Sequence, residues 1–176
     1  MRPFRRWRFA SFGPESFVHR PLWVARPHRI AIGAQVQILH HAWLAVGPWA
    51  RDDEAPVLIV GDRVGFRTNC TISANEPVVI EDDVIVGAHC SIVGDDHVVA
   101  HPTDNVLRNP LRTAPIRIGR GTWIGDRVAI LAGTDIGCFC AIGANSVVRG
   151  SIPDYSVAVG APARVVGSTR AAPAAA

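Results

Sequence analysis

The sequence predicts an all-β chain, a parallel solenoid wound on a triangular section and interrupted by one long inserted loop. Three observations carry that prediction. Along RIGRGTWIGDRVAILAGTDIGCFCAIGANSVV, residues 117–148, an apolar branched residue returns every six positions as Ile118, Ile124, Ile130, Ile136, Ile142 and Val148. A small or β-branched side chain follows four places later at Thr122, Val128, Thr134, Cys140 and Ser146, and glycine directly follows Ile118, Ile124, Ile136 and Ile142. A period of six fits neither an amphipathic helix nor an alternating strand. It fits a chain that turns a corner at every hexad, pointing the branched residue into a narrow prism. Glycine beside it is expected to relieve the corner, where a side chain would be strained. Three hexads close one turn, and stacked turns bury a core that no single turn could bury alone.

Residues 1–28 show no regular beat and contain Pro3, Pro14, Pro21 and Pro27, which predicts an arm or irregular cap. The repeat domain is expected over 29–167, beginning with Ile32, Ile38 and Leu44. His40 and His41 then fall on a corner facing solvent, with Trp43 beside them covering part of the cap. Residues 46–57, VGPWARDDEAPV, read as an inserted loop. The beat resumes at Val60, Phe66 and Ile72, is offset around Asn75–Pro77, and resumes at Ile80, Val86 and Ile92. From 93 to 115 the hexads stop. An excursion of that length from a compact solenoid marks a functional or disordered loop. The last coils follow, and 168–176, ending in alanines, read as a flexible tail.

With 176 residues, 16 Gly and 13 Pro, the chain suits one corner-rich domain. Its 18 cationic residues are all arginine and the formal charge is +3, a balance that argues against a nucleic-acid binder and suits a phosphate-bearing ligand. Cys70, Cys90 and Cys140 fall in the small inward phase and read as reduced core residues, whereas Cys138 falls on an outward corner. No stretch has the length of a transmembrane span, and the Arg-rich start lacks the apolar run of a signal peptide, so the expected location is cytoplasmic.

The hexads, the WIG tripeptide at Trp123–Gly125 and the ending SIPDYSVAVGAPARVV resemble the hexapeptide-repeat acyltransferases, sugar and polysaccharide O-acetyltransferases among them. The resemblance runs from about Ile30 to Val166. It implies a left-handed parallel β-helix, acetyl-CoA as acyl donor with no metal, a homotrimer, and a saccharide or other small hydroxyl or amine compound as acceptor. It also implies a general-base histidine at the start of the loop. His97 matches that place best and His101 is the alternative; an imidazole there can take the acceptor's proton during attack on a thioester. Asp95 or Asp96 would orient it, although this chain carries Gly94 where the family often has an aspartate.

By the same resemblance, Trp123, Gly125, Asp126 and Ala144 line or flank a slot for the pantetheine arm, with Arg149 and Arg164 toward the phosphates. Forked arginine donors suit phosphate. Relatives often read threonine-lysine at Arg149-Gly150, so the cation is shifted by one place. Arg67, Asn69 and Asn75 are acceptor-side candidates by position. Two other classes compete: a γ-type carbonic anhydrase, whose zinc needs three ligands and would draw on His89, His97 and His101, and a non-catalytic scaffold.

Overall fold

The computed structural model describes residues 8–48, 50, 55–99 and 108–170. The chain winds through seven coils. The first holds β1 (Ser11–Phe12), β2 (Phe17–Val18) and β3 (Trp23–Ala25); the second β4 (Ile30–Ile32), β5 (Gln37–Ile38) and β6 (Trp43–Val46). The third holds β7 (Leu58–Val60), β8 (Gly65–Phe66) and β9 (Thr71–Ala74); the fourth β10 (Val78–Ile80), β11 (Ile85–Val86) and β12 (Ser91–Val93). A hairpin, β13 (Asp95–His97) and β14 (Leu111–Thr113), leaves the solenoid there. The fifth coil holds β15 (Ile116–Ile118), β16 (Trp123–Ile124) and β17 (Ala129–Leu131); the sixth β18 (Asp135–Ile136), β19 (Ala141–Ile142) and β20 (Val147–Val148). β21 (Ser151–Ile152) and β22 (Ser156–Gly160) open a seventh, and β23 (Ala163–Ser168) folds back antiparallel on β22.

The first strands of successive coils form one parallel face, the second strands a second face and the third strands a third. Where the hexads run unbroken, Ile118 pairs with Ile136, Ile124 with Ile142 and Ile130 with Val148, each eighteen residues on. Elsewhere the step is longer: Ile32 pairs with Val60 and Ile80 with Ile118. The added residues, including the hairpin, all enter between a third-face strand and the next first-face strand. One corner of the prism therefore carries the insertions.

The inward beats from Ile118 to Val148 are fully buried, as are their companions Thr122, Val128, Thr134, Cys140 and Ser146. Inside the prism each hydroxyl donates to a corner carbonyl: Thr122 Oγ1 to Gly137 O at 2.9 Å, Ser146 Oγ to Gly143 O at 2.6 Å. A polar atom can be buried there because the turning backbone supplies its partner. Cys70, Cys90 and Cys140 are buried free thiols. The hydrogen bond with Cys90, and then burial, push the Cys70 thiol well up.

Three expectations are corrected. Phe12, Val18 and Val24 are themselves six apart, pack against the core, and lie in register with Ile32, Ile38 and Leu44, so residues 11–25 form a coil and not an arm. Residues 168 and 169, expected in the tail, belong to the fold, since Ser168 closes β23 and Thr169 N donates to Tyr155 O, while 171–176 lie outside the described residues. Glycine after a beat serves close approach and not a left-handed backbone. A Cβ on Gly87 would stand 2.6 Å from Gly125 C, and one on Gly119 2.5 Å from Gly137 C. The positive φ falls two places on, at Arg63, His89, Arg127, Phe139 and Asn145, mostly in residues with a Cβ. Each such position costs about 1–2 kcal/mol.

Candidate active site

The hairpin determines which side chains meet. β13 and β14 pair antiparallel, Asp95 opposite Thr113 and His97 opposite Leu111. Successive side chains of a strand point to opposite faces, so Asp95 and His97 share one face and Asp96 takes the other. Asp95 and His97 line a cleft of about 850 Å³ against the third face, together with Trp43, Ser73, Asn75 and Arg108. Asp95 Oδ2 accepts from Asn75 Nδ2 at 2.5 Å and from Ser73 Oγ at 3.1 Å. Asn75 is only 3% exposed, and among the described residues its Oδ1 has no hydrogen-bond partner. His97 is exposed to the cleft. The arrangement offers an imidazole that can accept a proton and a held carboxylate beside it.

Asp96 is turned away from that cleft. Its Oδ2 accepts from Arg112 Nη2 at 3.3 Å and from Arg149 Nη2 at 3.2 Å. Arg149, expected near cofactor phosphates, thus ties the hairpin to the sixth coil. Such exposed pairs contribute about 0–1 kcal/mol, which leaves the guanidinium available to a stronger anion. Of the two aspartates expected to orient the imidazole, Asp95 shares its face of the strand and Asp96 does not. His101 lies outside the described residues.

The expected cofactor residues gather elsewhere. Trp123 is exposed on the second face, and Gly125 and Ala144 stack in neighbouring coils at the corner between the second and third faces. A Cβ on Gly125 would lie 2.7 Å from Ala144 N. Ala144 is exposed, so this corner presents backbone with little side chain over it. Arg164, on β23, borders the same end of the second face. Asp126 has a structural task here: Oδ1 accepts from Ala88 N at 2.8 Å, as Asp62 Oδ1 does from Ala34 N and Asp154 Oδ1 from Cys138 N, each at 2.8 Å. The aspartate belongs to the corner repeat.

Arg67 and Asn69 occupy the corner between the second and third faces, away from the cleft, and only Asn75 of the three acceptor candidates reaches His97's site. His89 also sits at that far corner. Among the described residues no three His, Cys, Asp or Glu side chains converge as metal ligands do. Trp43, expected to cover part of the cap, packs against Trp23 of the first coil and also walls the cleft. Ser73 and Arg108 were not anticipated; the period-two reading of TISAN would have put Ser73 and Asn75 on one outward face. Among the described residues no helix is long and apolar enough to cross a membrane.

No family model matches the chain. Two sequence relatives carry provisional names. Acetyltransferase Rv3034c of Mycobacterium tuberculosis is 42% identical over 106 residues, 60% of this chain and 35% of that protein. The lipopolysaccharide biosynthesis O-acetyl transferase WbbJ of Escherichia coli is 32% identical over 117 residues, 62% of this chain and 60% of that protein. The chain thus spans between about a third and three fifths of the length of these relatives. Among solved structures, a variant of AntD, an N-acyltransferase of Bacillus cereus bound to dTDP and coenzyme A, superposes with a TM-score of 0.75 at 18% identity, over 92% of this chain and 85% of that one. A hexapeptide-repeat acetyltransferase of Vibrio cholerae, VCA0836, holding acetyl-CoA, has a TM-score of 0.67 at 22% identity, over 94% and 74%.

Proposed function

We propose that this chain, which has the left-handed parallel β-helix fold of the hexapeptide-repeat acyltransferases, transfers an acetyl group from acetyl-CoA to a hydroxyl or amine of a saccharide, with His97 as general base, at a site completed between subunits of a homotrimer. The observation that carries this reading is the separation within one chain. The His97 cleft stands at the corner that carries the insertions, while the Gly125–Ala144 corner stands at the opposite edge of the third face. Two chains that set the second corner of one against the first corner of the other would bring a thioester on one to an acceptor on its neighbour. A cyclic trimer of prisms does so three times over.

His97 takes the proton from the acceptor O–H or N–H as that atom attacks the thioester carbonyl. The C–S bond then breaks, and the departing thiolate takes the proton back from the imidazolium. Asp95 holds the cleft floor through Ser73 and Asn75 and sets a negative charge on the imidazole's side of the strand. The Gly125–Ala144 backbone suits the amides of pantetheine, with Trp123 flanking, Arg164 facing the phosphates from the same chain and Arg149 from the chain that supplies His97. The names of Rv3034c and WbbJ, and the coenzyme A bound to the solved neighbours, support the donor.

The test is thiol release from acetyl-CoA against a panel of sugars, amino sugars and simple alcohols. Acceptor-dependent release is expected for a saccharide. Absence of release with every acceptor on the panel, together with no binding of acetyl-CoA, would remove the transferase reading in favour of a scaffold.

A further inference from the structure

The third face has an uneven outward column. Trp23 pairs in register with Trp43, and Trp43 with Thr71; below them the column continues with Ser91 and Ala129. The column is therefore low from Thr71 onward and raised into two indoles at its N-terminal end. Both are half-exposed, Trp43 by 44% and Trp23 by 54%. Their ring centroids stand 6.1 Å apart with planes tilted by 31°. Trp43 walls the same cleft as His97, Asp95 and Asn75, so the indoles form a strip leading away from the reacting imidazole.

We infer that the acceptor is an oligosaccharide, its reacting sugar packed on Trp43 and its next sugar on Trp23. For its reaction, though not for the binding itself, this inference rests on the acyl-transfer reading. Two features favour a sugar. Pyranoses carry an apolar C–H face and a polar rim. The site matches that division, with indoles on one side and, on the other, the Asp95 carboxylate and the Arg108 guanidinium. Neighbouring strands lie about 4.8 Å apart, close to the length of one sugar residue, so indoles one strand apart suit consecutive rings.

The test needs no donor. Saturation-transfer NMR would follow binding of methyl glucopyranoside, cellobiose and cellotriose, and of N-acetylglucosamine, chitobiose and chitotriose. The proteins are wild type, Trp43→Ala and Trp23→Ala, each with its mass in solution measured by sedimentation. Affinity is expected to rise about tenfold from monosaccharide to disaccharide, a factor within the reach of one aromatic stacking contact, and then to level off. Trp43→Ala should abolish binding of both, and Trp23→Ala should bring the disaccharide down to the monosaccharide. Equal affinity for one ring and two, unchanged binding in both variants, or no saturation of any sugar overturns the inference. So does loss of oligomeric mass in the variants, which assigns the indoles to a subunit contact. Thiol release fails or succeeds separately. Ladder-dependent binding without release removes the reaction and keeps the platform, whereas release indifferent to both tryptophans does the reverse.

Discussion

At the scale of single residues, His97 and Asp95 divide the work of the hairpin. His97→Ala is expected to lower kcat by about 10²–10⁴ while acetyl-CoA binding, read by calorimetry, stays as in wild type. His101→Ala run beside it should retain most of the rate; the opposite ranking would move the base along the loop. Asp95→Asn keeps the shape of the cleft floor but removes the charge that accepts from Asn75 and Ser73. A loss confined to kcat is predicted, with Tm nearly unchanged. Away from the site, His40 is edge-on to His19, ring centroids 4.0 Å apart. Desolvation, then the charges of His19, His41 and Arg20, lower its pKa. An imidazole whose pKa is lower in the folded chain binds fewer protons there than when unfolded, so stability should fall as pH drops through the ordinary histidine value of about 6.5. Thermal melts between pH 8 and 5 should show that slope reduced in His40→Asn.

At the scale of the element, the corner repeat joins close glycine contacts to aspartate side chains that cap the preceding coil. Gly137→Ala would set a Cβ 2.5 Å from Asp154 N and is expected to destabilise by about 1–3 kcal/mol, read as a lowered Tm. Asp126→Ala removes one such cap and should cost about 0.5–1.5 kcal/mol of stability. If acetyl-CoA affinity falls with no change in Tm, Asp126 serves the cofactor and not the corner. These corners show how much the sequence made legible. The hexads from Ile118 to Val148 could be read because each inward position is set by its own six residues. The first coil was hidden although Phe12, Val18 and Val24 keep the period. Its side chains are only partly buried at the open end, and prolines mask the pattern. The site was half legible. His97, Asp95 and Asn75 could be named, but dividing Asp95 from Asp96 required knowing that 95–97 is a strand. Arg149's partner lies fifty-three residues away and no local pattern records it.

At the scale of the whole molecule, the prism sets the His97 cleft and the Gly125–Ala144 corner at opposite edges of the third face. The proposed trimer would bring these corners together between neighbours. The chain, 18.9 kDa by sequence, should sediment at three times that mass. The most direct test of the account mixes two inactive chains, His97→Ala and Ala144→Trp, the latter filling the proposed slot from an exposed position without entering the core. Each alone should form trimers without activity. Co-refolded in equal amounts, about a quarter of the interfaces should pair an intact His97 with an intact slot from the neighbour, restoring about a quarter of wild-type acetyl transfer. Mixed trimers that form and remain inactive would contradict a site shared between subunits.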